Sequence, residues 1–139
     1  MKWFRNVRIF LIILVLLLIF DGLVIGLFTS KFYANELGTI ARMDNGMIEP
    51  RWINIGLVYL LLALGLTYYV ILNKEKTTDA EIFLKGTLFG LIVYGIYNMA
   101  NYSLLKDWTL SVVIVDIAWG AALCGAVAIA THMINEMLE

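Results

Sequence analysis

The stretch TLSVVIVDIAWGAALCGAVAIAT, residues 109–131, decides the fold. It is apolar for long enough to cross a hydrocarbon core of about 30 Å, which takes about 20 residues of helix. Its one charged residue is Asp116, and no Lys or Arg within the stretch neutralises it. A carboxylate in mid-bilayer costs about 2.5–3.5 kcal/mol on the mildest insertion scale, so it needs a hydrogen-bonding partner or a task. Working outward, three more stretches read the same way, at about 9–28, 53–72 and 85–105. The first of these carries a second acid, Asp21, again without a neighbouring cation. These four spans use most of the chain. The expected fold class is therefore all-α: a polytopic integral membrane protein, with residues 1–139 forming a single bundle of four transmembrane helices.

Composition agrees. Hydrophobic residues make up 62% of the chain, against about 45–50% in soluble domains, and the mean hydropathy is +0.87. A net charge of −1 argues against nucleic acid as a partner. The single cysteine, Cys124, excludes an intrachain disulfide and a multi-cysteine metal site, and its place within a span reads as packing. Lys2, Arg5 and Arg8 lead the chain as in a signal peptide, but the apolar run after them is too long and lacks a small-residue cleavage site. The first span is expected to stay uncleaved.

Basic residues in short flanking loops set orientation. With the N-terminus inside, Lys2, Arg5, Arg8, Lys74, Lys76 and Lys85 face the cytoplasm, and Lys31, Arg42, Arg51 and Lys106 face away. Six against four, with the N-terminal cluster, places both termini in the cytoplasm. Between the first two spans, Tyr33, Leu37, Ile40 and Met43 recur at helical spacing, which suggests an interfacial helix over about 31–43. Asn45-Gly46 then turns the chain and Pro50 starts the next element. Thr78 or Asp79 is expected to cap the third helix. Trp3, Trp52 and Trp108 fall at the expected interfaces, where indoles prefer to lie. Ala118, Ala122, Ala126 and Ala130, with Gly120 and Gly125, make the fourth span the expected packed interior. Gly22 with Gly26, and Gly86 with Gly90, offer matching small-residue contacts on the first and third spans.

Counting from the span ends places Asp21, Tyr59, Asn98 and Asp116 at one level, roughly 10 Å below one boundary at about 1.5 Å per residue. On the third span, Thr87, Gly90, Tyr94, Asn98 and Asn101 share a face through three- and four-residue steps. A face this polar is expected to point inward, since lipid offers it no hydrogen bonds. Trp52, Gly56, Tyr59, Ala63 and Thr67 give the second span a similar face, and Trp119 lies one turn beyond Asp116. At least one of two carboxylates at one depth without a cation is expected to be protonated at neutral pH, because desolvation and like charge both penalise double ionisation. The candidate site for a ligand or proton is thus Asp21, Asp116, Asn98, Asn101, Tyr94, Tyr59 and Trp119. The plainer alternative is that both acids act as interhelical glue, each bond worth about 0.6 kcal/mol. His132 reads as a cap at a helix C-terminus. The sequence contains no metal motif, no Ser-His-Asp order and no phosphate loop, so no metal, cofactor or catalytic residue is expected.

The runs Gly86-Thr87-Leu88-Phe89-Gly90, Tyr94-Gly95-Ile96-Tyr97-Asn98-Met99-Ala100-Asn101, Leu105-Lys106-Asp107-Trp108 and Val115-Asp116-Ile117-Ala118-Trp119-Gly120 resemble a family of small bacterial membrane proteins, domain of unknown function 2177. An acid in the first span and the Phe32-Tyr33 pair after it fit the same pattern. Where that family commonly has Tyr-Asp-Leu-Thr-Asn, this chain has Tyr97-Asn98-Met99-Ala100-Asn101, with an amide in place of an acid. The resemblance implies a four-span protein of a bacterial inner membrane and no established activity. The favoured reading is a transporter or proton-linked permease component, with membrane lipid around it, a small solute or proton as its cargo, and a homodimer as its form. In it Asp116 titrates, Asp21 is its partner, and Asn98, Asn101, Tyr94 and Tyr59 line the site. The alternatives are a lipid-acting membrane enzyme or accessory factor, and a non-catalytic membrane subunit.

Overall fold

A computed structural model describes residues 1–72 and 77–139. Lys74 and Lys76, used above for orientation, lie outside the described residues. Among the described residues four helices are long and apolar enough to cross a membrane: Lys2–Leu37, Trp52–Leu72, Asp79–Leu104 and Leu110–Met137. They form an all-α bundle. Arg8 on the first helix donates to Asn135 Oδ1 on the fourth at 2.8 Å, which sets both termini at one end, the terminal end. The opposite end carries a small hairpin, Met43–Asp44 against Met47–Ile48, with Met43 opposite Ile48 and Asp44 opposite Met47. Asn45 (φ 48) and Gly46 (φ 78) make its turn. Both central residues take positive φ, which matches strand twist and selects Asn-Gly.

The first helix buries Ile9, Ile13, Leu17 and Asp21. Residues four apart stack on one face, so this narrow stripe aims Asp21 inward while Leu11, Val15, Leu18 and Leu23 stay exposed. The third helix repeats the device with Ile82, Gly86, Gly90 and Asn98. The fourth helix is central: half of its most apolar window is buried, against 22% for the first and the third.

Glycine sets the approach of the third and fourth helices. A Cβ on Gly86 would meet Cys124 O at 2.7 Å and Ala128 Cβ at 2.6 Å, so the two backbones run nearly in contact. Gly22 and Gly26 have nothing within 4 Å, so the small-residue pair of the first helix makes no such contact. The alanine ridge also differs from expectation. Ala118 and Ala122 are exposed, and the packed face is Gly120, Cys124, Gly125 and Ala128. Against lipid an alanine loses nothing by exposure, whereas only glycine admits another backbone.

The first helix does not stop at its expected boundary. It passes through a π-helical stretch, Ile25–Thr29, and continues to Leu37. The segment expected to lie on the interface instead docks: Leu37 joins Trp108, Val112 and Val113 in a small core, with Phe32 and Tyr33 against it. The π turn explains the docking. If it absorbs one residue, the twelve steps from Asp21 to Tyr33 count as eleven, close to three turns of about 3.6. Tyr33 then lies on the same side as Asp21.

Thr78 caps the third helix in a reciprocal box: its Oγ1 accepts from Glu81 N, and Glu81 Oε2 accepts from Thr78 N. Thr78→Ala removes half of the box and is expected to cost about 1 kcal/mol, measurable as a lower midpoint in thermal unfolding in detergent.

Candidate functional site

Two hydrogen-bonded clusters, one around Asp21 and one around Asp116, occupy the interior. Asp21, 5% exposed, accepts from the Tyr59 hydroxyl through Oδ2 and from Trp119 Nε1 through Oδ1 at 2.7 Å. Its donors come from the second and fourth helices, so this acid ties three helices together. Tyr59 reaches it because it sits four residues before Ala63, on the face that the second helix buries with Ala63 and Thr67. Trp52 is 72% exposed and Gly56 has no neighbour within 4 Å, so that inward face begins at Tyr59.

Asp116 has its own donors. Tyr33 donates to Oδ1 at 3.0 Å and Asn98 Nδ2 donates to Oδ2. The same amide nitrogen also donates to Tyr94 O at 2.9 Å. The Asn98 oxygen accepts from Trp108 Nε1 at 3.3 Å, so this fully buried amide is satisfied at both ends. The Trp108 ring also stands edge-on to Tyr97, with centroids 5.7 Å apart. At the top of the cluster, Thr109 caps the fourth helix and donates to Glu36 Oε2 at 2.6 Å, which fixes the docked end of the first helix.

Among the described residues no hydrogen bond joins the two carboxylates. They are neighbours through the fourth helix: Trp119, which binds Asp21, lies three residues, about 4.5 Å along the axis, beyond Asp116. Tyr94 lies between, its ring packed against Gly120, where any Cβ would overlap it. Asn101 is half-buried, and its carbonyl accepts the Leu105 amide at the helix end, one turn away from the Asp116 cluster.

The acids differ in access. Asp21 is sealed in, whereas Asp116 is half-buried and forms part of the wall of a cavity of about 470 Å³. Val58, Leu61 and Leu62 of the second helix form one side of it, and Phe89, Val93, Tyr94 and Tyr97 of the third form the other. The second helix leans on the first and meets the third around Gly65 and Phe89 and along Thr67–Leu72. Towards the hairpin the second and third helices diverge and leave this groove between them.

Over residues 6–133 the chain matches the family model described as "Predicted membrane protein (DUF2177)". The chain belongs to this family. No curated protein and no solved structure matches it. In this DUF2177 member two residues of the Asp116 cluster escaped the reading of the chain. Tyr33 sits in a segment whose spacing suits an interface, and its contact with Asp116 depends on a register change that hydropathy does not show. Trp108 was assigned to an interface belt, yet it is 9% exposed. The signal for it was its place just before a tight turn, beside a helix whose inward face carries an amide.

At the terminal end His132 is 4% exposed. Its Nε2 faces Asp79 Oδ1 at 3.3 Å and Glu136 Oε1 at 3.1 Å, so it braces the start of the third helix against the end of the fourth. This is a buried cross-brace, beyond the simple helix cap expected of it.

Proposed function

We propose that this membrane protein is a small permease component in which Asp116 binds the transported proton or small solute. One observation carries the reading: Asp116 lines a cavity, while Asp21 is 5% exposed and held by two donors from neighbouring helices. Intramembrane ionisable residues mark ion and solute paths as a rule. Asp21 then serves as the structural tie that holds the second and fourth helices around the site. In this proposal the membrane is a bacterial inner membrane, and the excess of basic residues on one side favours both termini facing the cytoplasm. Four helices leave little room for a central path, so the functional form is two copies side by side.

Asp116→Asn tests this cleanly. The amide keeps an oxygen for one donor, and its nitrogen can donate to a rotated Tyr33 hydroxyl, so the network survives and only the charge is lost. In vesicles containing the purified protein and an internal pH dye, proton entry under an imposed potential is expected to fall to the empty-vesicle rate with Asp116→Asn. It is expected to persist with Asp21→Asn. Equal flux through wild type and Asp116→Asn would sink the reading.

A further inference from the structure

The groove beside Asp116 has a chemistry that narrows what it can hold. Its lining contains one charged side chain, an acid, and no Lys or Arg. That carboxylate accepts two hydrogen bonds, from Tyr33 and Asn98, of the four or so that its two oxygens can take. Acceptor capacity thus remains on a group that lines the groove. The rings of Tyr94 and Tyr97 line the same space. A carboxylate beside aromatic side chains suits an ammonium group, which ring quadrupoles can attract as well. An anionic head would meet Asp116 with like charge and no compensating cation.

The remaining walls are aliphatic, and the mouth lies on the flank of the bundle. Leu61 is 68% exposed and Tyr97 55% exposed, both well inside their helices, so the groove opens towards lipid. From Phe89 to Tyr97 it runs eight residues, about 12 Å at 1.5 Å per residue. One leaflet of the hydrocarbon core is about 15 Å deep. The 470 Å³ volume falls within the range of about 300–1,000 Å³ for small-molecule sites.

We infer that this groove takes a single-chain alkylamine from the bilayer, its ammonium on Asp116 beside Tyr94 and Tyr97 and its chain along Val58, Leu61 and Phe89. The inference rests on the reading of Asp116 as the solute-binding group and supplies the class of solute. Entry from the side also suits a bundle whose interior is closed by glycine packing.

The test uses the full chain in lipid nanodiscs and a dodecylamine carrying a diazirine in its chain. Photolabelling followed by peptide mapping is expected to mark the second and third helices around Val58 and Val93. Plain dodecylamine is expected to compete and dodecanoate is not. Losing a charge-assisted contact should weaken labelling about tenfold or more in Asp116→Asn. Val58→Trp, which fills the groove without touching the Asp116 network, should abolish labelling in a protein with unchanged melting. Labelling spread evenly over the lipid-facing helices, equal labelling of Asp116→Asn, or competition by dodecanoate would each overturn the inference. Proton flux that needs Asp116, without amine labelling, overturns the ligand class and leaves the permease reading standing. Groove labelling without movement of either protons or the amine across the membrane supports the ligand class and overturns the permease reading.

Discussion

Gly90→Val is expected to lower the melting temperature more than any other single change in the bundle, while Gly95→Val, five residues on, leaves it nearly unchanged. A Cβ at Gly90 would overlap the Gly120 carbonyl and lie 2.8 Å from Cys124 Cβ. The obstruction is backbone and a short buried side chain, neither of which can swing aside. The third and fourth helices would have to separate, and their separation would loosen the Asp116 cluster, whose acid and amide sit on the two. Overpacking costs about 1–3 kcal/mol and occasionally more, and rigid neighbours put this case at about 3 kcal/mol. Gly95 has nothing within 4 Å, so its substitution is a control for helix propensity alone. Thermal unfolding of both variants in one detergent decides the matter. Equal midpoints would mean that the two helices do not approach through Gly90.

The second large effect concerns Asp21. Tyr59→Phe together with Trp119→Phe removes both donors and strands a buried carboxylate. Leaving a buried polar group without its hydrogen-bond partners costs about 1–3 kcal/mol for each bond lost, because the group has already given up water. Adding Asp21→Leu to the double variant removes the stranded group and is expected to recover most of that loss, since burying an apolar side chain there carries no such penalty. A chemical-denaturation series over the single, double and triple variants reads this out. A triple variant no more stable than the double would show that Asp21 has other partners, and the tie between the three helices would need a different account.

These two cases mark what the chain made legible. The four spans were plain from hydropathy, because lipid demands length and apolarity and little else. The inward aim of Asn98 was also readable, since it continues a polar stripe at three- and four-residue steps, whereas the nearly uniform apolar first span shows no such stripe leading to Asp21. The extra turns beyond the expected boundaries were not readable either, because residues such as Lys2, Arg5 and Asn135 are polar and extend helices past the hydrocarbon. The choice of packing face on the fourth helix was hidden too. Alanine and glycine are alike in hydropathy-based pattern, and only glycine's missing Cβ separates Gly120 and Gly125 from Ala118 and Ala122. Tyr33 was lost for a third reason: a single widened turn at Ile25–Thr29 changes which side of the helix it occupies, and neither proline nor charge announces it.

The Asp21 tie also bears on how the chain is made. Tyr59 follows Asp21 by 38 residues and Trp119 by 98. Ribosomes add about 5–20 residues per second, so the acid waits on the order of 5–20 s for its last donor. During that interval the first helix must insert without the full set of partners for Asp21. Its long aliphatic run, at about −0.3 to −0.6 kcal/mol per large apolar residue, is what makes that entry favourable. The greasiness of residues 9–28, more than a lipid-facing helix needs for residence, is thus a provision for the seconds before the bundle closes.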